Sequence, residues 1–215
     1  MRSLTISAIL IVILVVSGCK TIVETSVNLS DILNSKTKNI EGDLYVEVAA
    51  CNHYEDSRKP SSSVVKTKQI MPSIFKNANY IECFSKEFKS FAHFNIPIVL
   101  DKDKDGKMAS EDYLNIVSNE TTLLSVAIPR SIKNNMEEVK KSNFGMSSLN
   151  LEVNIKVKND TGKDFLFKVM SAYIENKPYL YSELSSNKDA VFTVRLSDVS
   201  VDNALQNGFS NVLMH

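Results

Sequence analysis

The sequence predicts an α+β protein: a mixed N-terminal part, then an antiparallel β-meander or sandwich-like C-terminal part for which an immunoglobulin-like arrangement is one option. Three observations predict it. Leu149, Leu151, Val153, Ile155 and Val157 alternate strictly with Asn150, Glu152, Asn154, Lys156 and Lys158, giving a strand with one dry face and one wet face. Three more strand-like runs follow within about 50 residues, separated by short turns. Upstream, period-two runs are interleaved with segments of helical spacing.

In chain order, Thr21 to Leu29 reads as a strand, and Ser30 opens a short helix carrying Ile32 and Leu33. Leu44, Val46, Val48 and Ala50 alternate with Tyr45, Glu47, Ala49 and Cys51, again a strand. Lys59-Pro60-Ser61-Ser62-Ser63 is a loop. Beyond it Val64, Met71, Ile74 and Phe75 are helically spaced, with Pro72 expected to kink the helix or to begin another. Tyr80 to Phe84 and Phe91 to Leu100 are strands; Pro97 suggests an edge position for the second. Leu123 to Ile128 is a strand, and Pro129 opens a charged helix to about Lys141 with Ile132, Met136 and Val139 as its apolar stripe. After Leu149–Lys158, Asn159-Asp160-Thr161-Gly162 turns the chain into Phe165 to Ile174. Asn176-Lys177-Pro178 turns it again into Tyr179 to Leu184, and Ala190 to Leu196 follows. Val201 to Gln206 is a short helix. The reading divides the chain into residues 1–18, 19–147 and 148–215, with a single continuous domain from 19 onward as the alternative.

The first eighteen residues are a signal peptide. Arg2 supplies a positive start and Leu4 to Val16 is apolar apart from Thr5 and Ser7. That run of about 13 residues is short of the roughly 20 a membrane-spanning helix needs. Val16-Ser17-Gly18-Cys19 resembles the lipobox of bacterial lipoproteins. The resemblance implies cleavage before Cys19 and acylation of that cysteine, so the covalent lipid is the expected modification. It also implies export, with a membrane partner through the anchor. Two or more acyl chains hold a protein stably where one does not. In two-membrane bacteria an aspartate after the cysteine tends to retain lipoproteins in the inner membrane, so Lys20 implies the outer membrane of a Gram-negative host. The chain as a whole resembles small lipoproteins of enterobacteria and their prophages. For a phage-borne member that implies a surface role such as masking a receptor against further infection.

Composition narrows the function further. Twenty-five basic and twenty-five acidic residues cancel, leaving no field to attract nucleic acid. The chain has no tryptophan, six glycines and five prolines, which weakens a carbohydrate-stacking platform and argues against disorder. With three histidines and no Gly-x-Ser-x-Gly, His-Glu-x-x-His, P-loop or dinucleotide fingerprint, an enzyme is not expected. A hydrolase would have to bring His53 or His93 to a carboxylate or hydroxyl.

With Cys19 acylated, Cys51 and Cys83 remain, an even pair in an exported chain and therefore a disulfide. Two free thiols are the second option. Zinc on Cys51, His53, Cys83 and His93 is the third, and lacks the close Cys-x-x-Cys pair of common structural sites.

The strongest chemical motif is Asp101-Lys102-Asp103-Lys104-Asp105-Gly106. Oxygen ligands at positions 1, 3 and 5 with glycine at 6 are what a calcium loop needs, and Lys107 would lend its carbonyl at position 7. Position 12 is Asp112, with Glu111 one residue early, which weakens calcium or tilts the site toward magnesium. Asp101, Asp103, Asp105, Lys107, Glu111 and Asp112 are thus the candidate ligands. A capped helix from Ser110 through Leu114 would complete a strand-loop-helix site; the alternative is a solvated Asp/Lys/Gly turn.

These features support a lipid-anchored envelope protein with a non-enzymatic binding or structural role and a protein partner. The alternative is an exported small-ligand or glycan-binding module with a calcium-stabilised loop and a pocket using Tyr173, Tyr179 and Tyr181.

Overall fold

A computed structural model describes residues 20–34, 36–102, 108–142 and 149–215. The segment Val16-Ser17-Gly18-Cys19 that resembles a lipobox lies outside these residues, as do Asp103, Asp105 and Lys107 of the acidic loop and residues 143–148 near the expected domain boundary.

The chain runs through β1 (Lys20–Asn28), α1 (Leu29–Asn34), β2 (Lys38–Val48), α2 (Ser62–Ile74), β3 (Asn79–Lys86) and β4 (Lys89–Lys102). It continues through β5 (Leu114–Ser118), β6 (Thr122–Ala127), α3 (Arg130–Ser142), β7 (Asn150–Lys158) and β8 (Phe165–Ile174). It ends with β9 (Lys177–Ser186), β10 (Val191–Leu196), α4 (Asp198–Asn207) and β11 (Phe209–Met214). Nine strands form one closed ring in the order β10-β7-β1-β2-β4-β5-β6-β11-β8, and a β8–β10 pairing shuts it. β3 and β9 lie outside the ring, paired to β4 and β8.

This overturns the expected α+β class and the immunoglobulin-like C-terminal sandwich: the protein is a mostly β closed barrel. The C-terminal strands do not make a sheet of their own. β7 runs parallel to β1 in unbroken register from Lys20↔Asn150 to Asn28↔Lys158. Alternation identifies a strand and its dry face but not its partner, and this partner lies 130 positions away in sequence.

The inward positions are those the alternation marks. Leu44, Phe94, Ile155, Val157, Val169 and Val194 are fully buried. Burying a side chain of that size is worth about 1.5–3 kcal/mol, so the barrel interior is a packed core. The outward positions of β1, β2 and β7 carry Glu24, Ser26, Glu41, Asp43, Glu47, Glu152, Asn154 and Lys156. Apolar inside and polar outside is the reverse of a membrane-spanning barrel. Among the described residues no helix is long and apolar enough to cross a membrane.

Closure depends on a bend in β8. Ser171 has φ 47°, and the buried positions change parity across it, from Phe167 and Val169 to Ala172 and Ile174. The first half pairs with β11 through Lys168 and Val169, the second with β10 through Ala172, Tyr173 and Ile174. A residue in the left-handed region reverses the pleat, so both halves keep apolar side chains inward.

Helices cover the barrel. α1 buries Leu29 and Ile32 against β1, β4, β5 and β6, while α4 buries Val201 and Ala204 and touches β7, β8, β10 and β11. α2 and α3 pack on each other. Ser61 caps α2, its hydroxyl accepting from Val64 N at 3.2 Å and donating to the Ala50 carbonyl. Pro72 sits two residues before the end of α2, which neither restarts nor runs on.

Two local expectations are corrected. Pro97 is not on an edge strand: β4 pairs with β2 along its length. On its other flank, however, β3 stops at Asn79↔Asn95 and β5 starts at Ile98↔Leu114, so Pro97 falls in the gap where a missing N–H costs no ladder bond. The segment after the acidic loop is a strand rather than a capped helix. The Ser110 hydroxyl does accept from the Asp112 and Tyr113 amides at 3.1 Å. But the buried Asn115 side chain binds Ser110 and Tyr113 backbone groups, and such local bonds compete with a helix. Leu114 to Ser118 then joins β4 in parallel.

Candidate functional site

Each residue singled out from the sequence has a definite place. Cys51 and Cys83 are joined in a disulfide with Cα atoms 5.5 Å apart. It ties the loop after β2 to β3, so the β3–β4 hairpin is stapled to the body. With both thiols consumed there, neither is a zinc ligand. His53 lies in that loop, stacked on Tyr54 with Nδ1 accepting from the Glu55 amide at 3.2 Å.

His93 is on the outer face of β4. Its Nε2 is 2.7 Å from Asp43 Oδ1 and its ring stacks on Tyr45 at 4.7 Å. Burial, and next the Asp43 charge, push the Tyr45 phenol above its ordinary value, so it holds its proton. His93 thus meets a carboxylate and an aromatic ring, and neither is an activated alcohol or thiol. Beside this pair Glu24, Glu41, Asp43, Asn154, Lys156 and Thr193 line a shallow depression of about 460 Å³ on the barrel wall. Lys156 stands among its carboxylates.

In the acidic loop Asp101 accepts from Thr37 Oγ1 at 2.7 Å, Asp112 pairs with Lys76 at 2.6 Å, and the Glu111 carbonyl accepts from Ser131. Among the described residues no group of three or more His, Cys, Asp or Glu is arranged to hold a metal. Asp103, Asp105 and Lys107 are outside them.

The three tyrosines do not converge on a pocket. The Arg195 guanidinium lies over the Tyr173 ring at 3.8 Å, Tyr179 packs against the core, and Tyr181 is 65% exposed. None of them lines either described depression.

A feature not readable from the sequence is the open side of the β8–β9 hairpin. A two-residue turn, Glu175-Asn176 with φ 49° and 64°, joins the strands. Ile174↔Lys177 therefore closes the hairpin, and pairing runs to Tyr179↔Ala172, lapses at Leu180 opposite Ser171, and resumes at Tyr181↔Met170. On its other side β9 has no partner strand among the described residues. Pro178, next to the closing pair, turns to that open side and loses no ladder bond. Leu180 is 85% exposed, and Tyr181 lies opposite Met170, also exposed, with Leu166 on the same side of β8. An unpaired strand with exposed apolar side chains is a template for a further strand.

The family model described as domain of unknown function DUF7424 matches residues 21–215. The chain belongs to the DUF7424 family. No curated protein and no solved structure matches it. The matched span takes in the whole of the DUF7424 barrel except its first residue, Lys20, and so includes both outlying strands.

Proposed function

We propose that this DUF7424 protein is a lipid-anchored envelope protein, held in the outer membrane through Cys19, that captures a protein partner and catalyses nothing. The observation that carries the binding role is the open edge of β9, with Leu180 and Tyr181 exposed beside it. The partner it fits is an extended segment that adds as a strand, its backbone along the open edge of β9 and alternate apolar side chains on the hairpin face. The packed barrel interior, and a His93 whose described contacts are a carboxylate and an aromatic ring, favour binding over turnover. The lipobox favours work at a membrane surface.

The test is in the envelope of a Gram-negative host. The mature protein should float with outer membranes and carry acyl mass on its N-terminal peptide, and Cys19→Ser should abolish both. A photo-crosslinker at Leu180 should give a discrete adduct that Ser182→Pro removes, because a proline inside β9 disrupts the strand a partner would extend. No adduct, or one that survives Ser182→Pro, sinks the strand-addition reading. If the partner is a phage receptor, Ser182→Pro should also restore phage plating.

A further inference from the structure

Three registers place one end of the barrel next to the anchor. Thr21 pairs with Val46, Val46 with Ala92, and Lys86 with Lys89. The start of β1, the end of β2 and the β3–β4 turn therefore lie at the same end of this sheet. Lys20, the first residue of β1, already pairs with Asn150. No linker separates Cys19 from the barrel, so acyl chains on Cys19 would hold this end within a residue's length of the bilayer surface.

At that end the β3–β4 turn consists of Glu87 and Phe88, with φ 50° and 64°. Such turns normally take asparagine and glycine, because a side chain in the left-handed region costs about 1–2 kcal/mol. A phenylalanine there is an outlier, and it is fully exposed. Its own fold gains nothing from it. The hairpin is nevertheless held firmly: Cys83 is bonded to Cys51, Ser85 and Ser90 share a hydroxyl bond of 3.0 Å, and Phe84 packs on Phe91 and Tyr45. Lys86 and Lys89 flank the tip, and Lys89 reaches Glu47 at 3.1 Å. An exposed aromatic with Lys86 close by suits the bilayer interface, where the ring enters the acyl boundary and the lysine stem carries its charge back to the headgroups, while Lys89 stays on Glu47.

We propose that Phe88 inserts into the interfacial layer of the same bilayer that holds Cys19, so that lipid and hairpin together fix how the barrel stands on the membrane. The proposal rests on the lipid-anchor reading. It explains a strained, solvent-facing aromatic that contributes nothing to the core.

The chain lacks tryptophan, so Phe88→Trp creates a single reporter. The full acylated protein is reconstituted in vesicles of phosphatidylethanolamine and phosphatidylglycerol, with Val191→Trp as a second preparation. Val191 is exposed and pairs with Lys158, which pairs with Asn28, so it marks the other end of β1. The indole at position 88 should emit at shorter wavelength than the one at 191. Brominated acyl chains should reduce the emission from position 88 roughly twofold while sparing that from 191. Flotation with a solvent-like, unquenched indole at 88 overturns the insertion and leaves the anchor standing. Failure to float, with no acyl mass, overturns the anchor and this inference with it. Equal quenching at 88 and 191 also overturns it, since the barrel would then have no preferred stance.

Discussion

Gly42 is the tightest point in the wall and gives the sharpest test of the packing argument. It lies in β2 between Thr25 of β1 and Ile96 of β4. A Cβ built there would sit 2.4 Å from Ile98 Cδ1, 3.2 Å from Ile98 Cγ1 and 3.3 Å from the Glu24 carbonyl oxygen. Ile98 is almost wholly buried and has little room to turn away. Overpacking of this kind costs about 1–3 kcal/mol. The methyl also restricts the unfolded chain, which returns about 0.4–1 kcal/mol. Gly42→Ala should therefore lose about 1–2 kcal/mol, or about 2–8 °C in melting temperature for a chain of this size. Ile98→Val removes the offending Cδ1 and alone should cost about 0.5–1.5 kcal/mol. In the double variant the new methyl occupies the space Cδ1 vacates, so its stability should return to within about 1 kcal/mol of the parent. The assay is urea unfolding of all four proteins, read as a double-mutant cycle. Additive losses, with the double variant the least stable of the set, would refute the claim that the Gly42–Ile98 contact sets this spacing.

Two further outcomes follow from single interactions. Reducing the Cys51–Cys83 bond, which closes a 32-residue separation, should lower stability by about 3–4 kcal/mol in the chain-entropy model; an unchanged melting temperature in reductant would contradict it. Asp160 accepts from the Ser30 amide at 2.8 Å and the Ser30 hydroxyl at 2.5 Å, tying the start of α1 to the β7–β8 turn. Its desolvation works to raise the carboxyl, but the Ser30 bonds outweigh this and hold it below the ordinary value. A depressed carboxylate contributes stability above its unfolded pKa of about 3.9 and loses it as pH falls through the folded value. Asp160→Asn should thus cost about 1–2 kcal/mol at neutral pH, and the gap from the parent should narrow as pH falls below the unfolded value and the carboxylate is protonated. A gap that persists in acid would assign the loss to packing instead.

Local structure was legible in the residues alone. Strict alternation in Leu149–Lys158 located a strand and its dry face, because a two-residue period has one structural meaning when every second residue is apolar. Pro129 and the stripe of Ile132, Met136 and Val139 located α3, and Cys51 with Cys83 could be read as a pair once Cys19 was set aside. The short C-terminal strand Phe209–Met214 was missed, since its buried positions, Ser210, Val212 and Leu213, keep no simple period across two register shifts. Ser110 offered the hydroxyl of a helix cap and was used for a turn, because the Asn115 amide claimed the Ser110 and Tyr113 carbonyls that a helix would need. The pairing of strands emerged with the folded chain. β7 beside β1, the bend at Ser171 that lets β8 close the ring, and the open edge of β9 all depend on partners distant in sequence. A side chain's hydrophobicity states that it must be buried; it carries no information about which distant strand will cover it. The same holds for Phe88, whose exposure and left-handed backbone became visible only once β3 and β4 were joined by a two-residue turn.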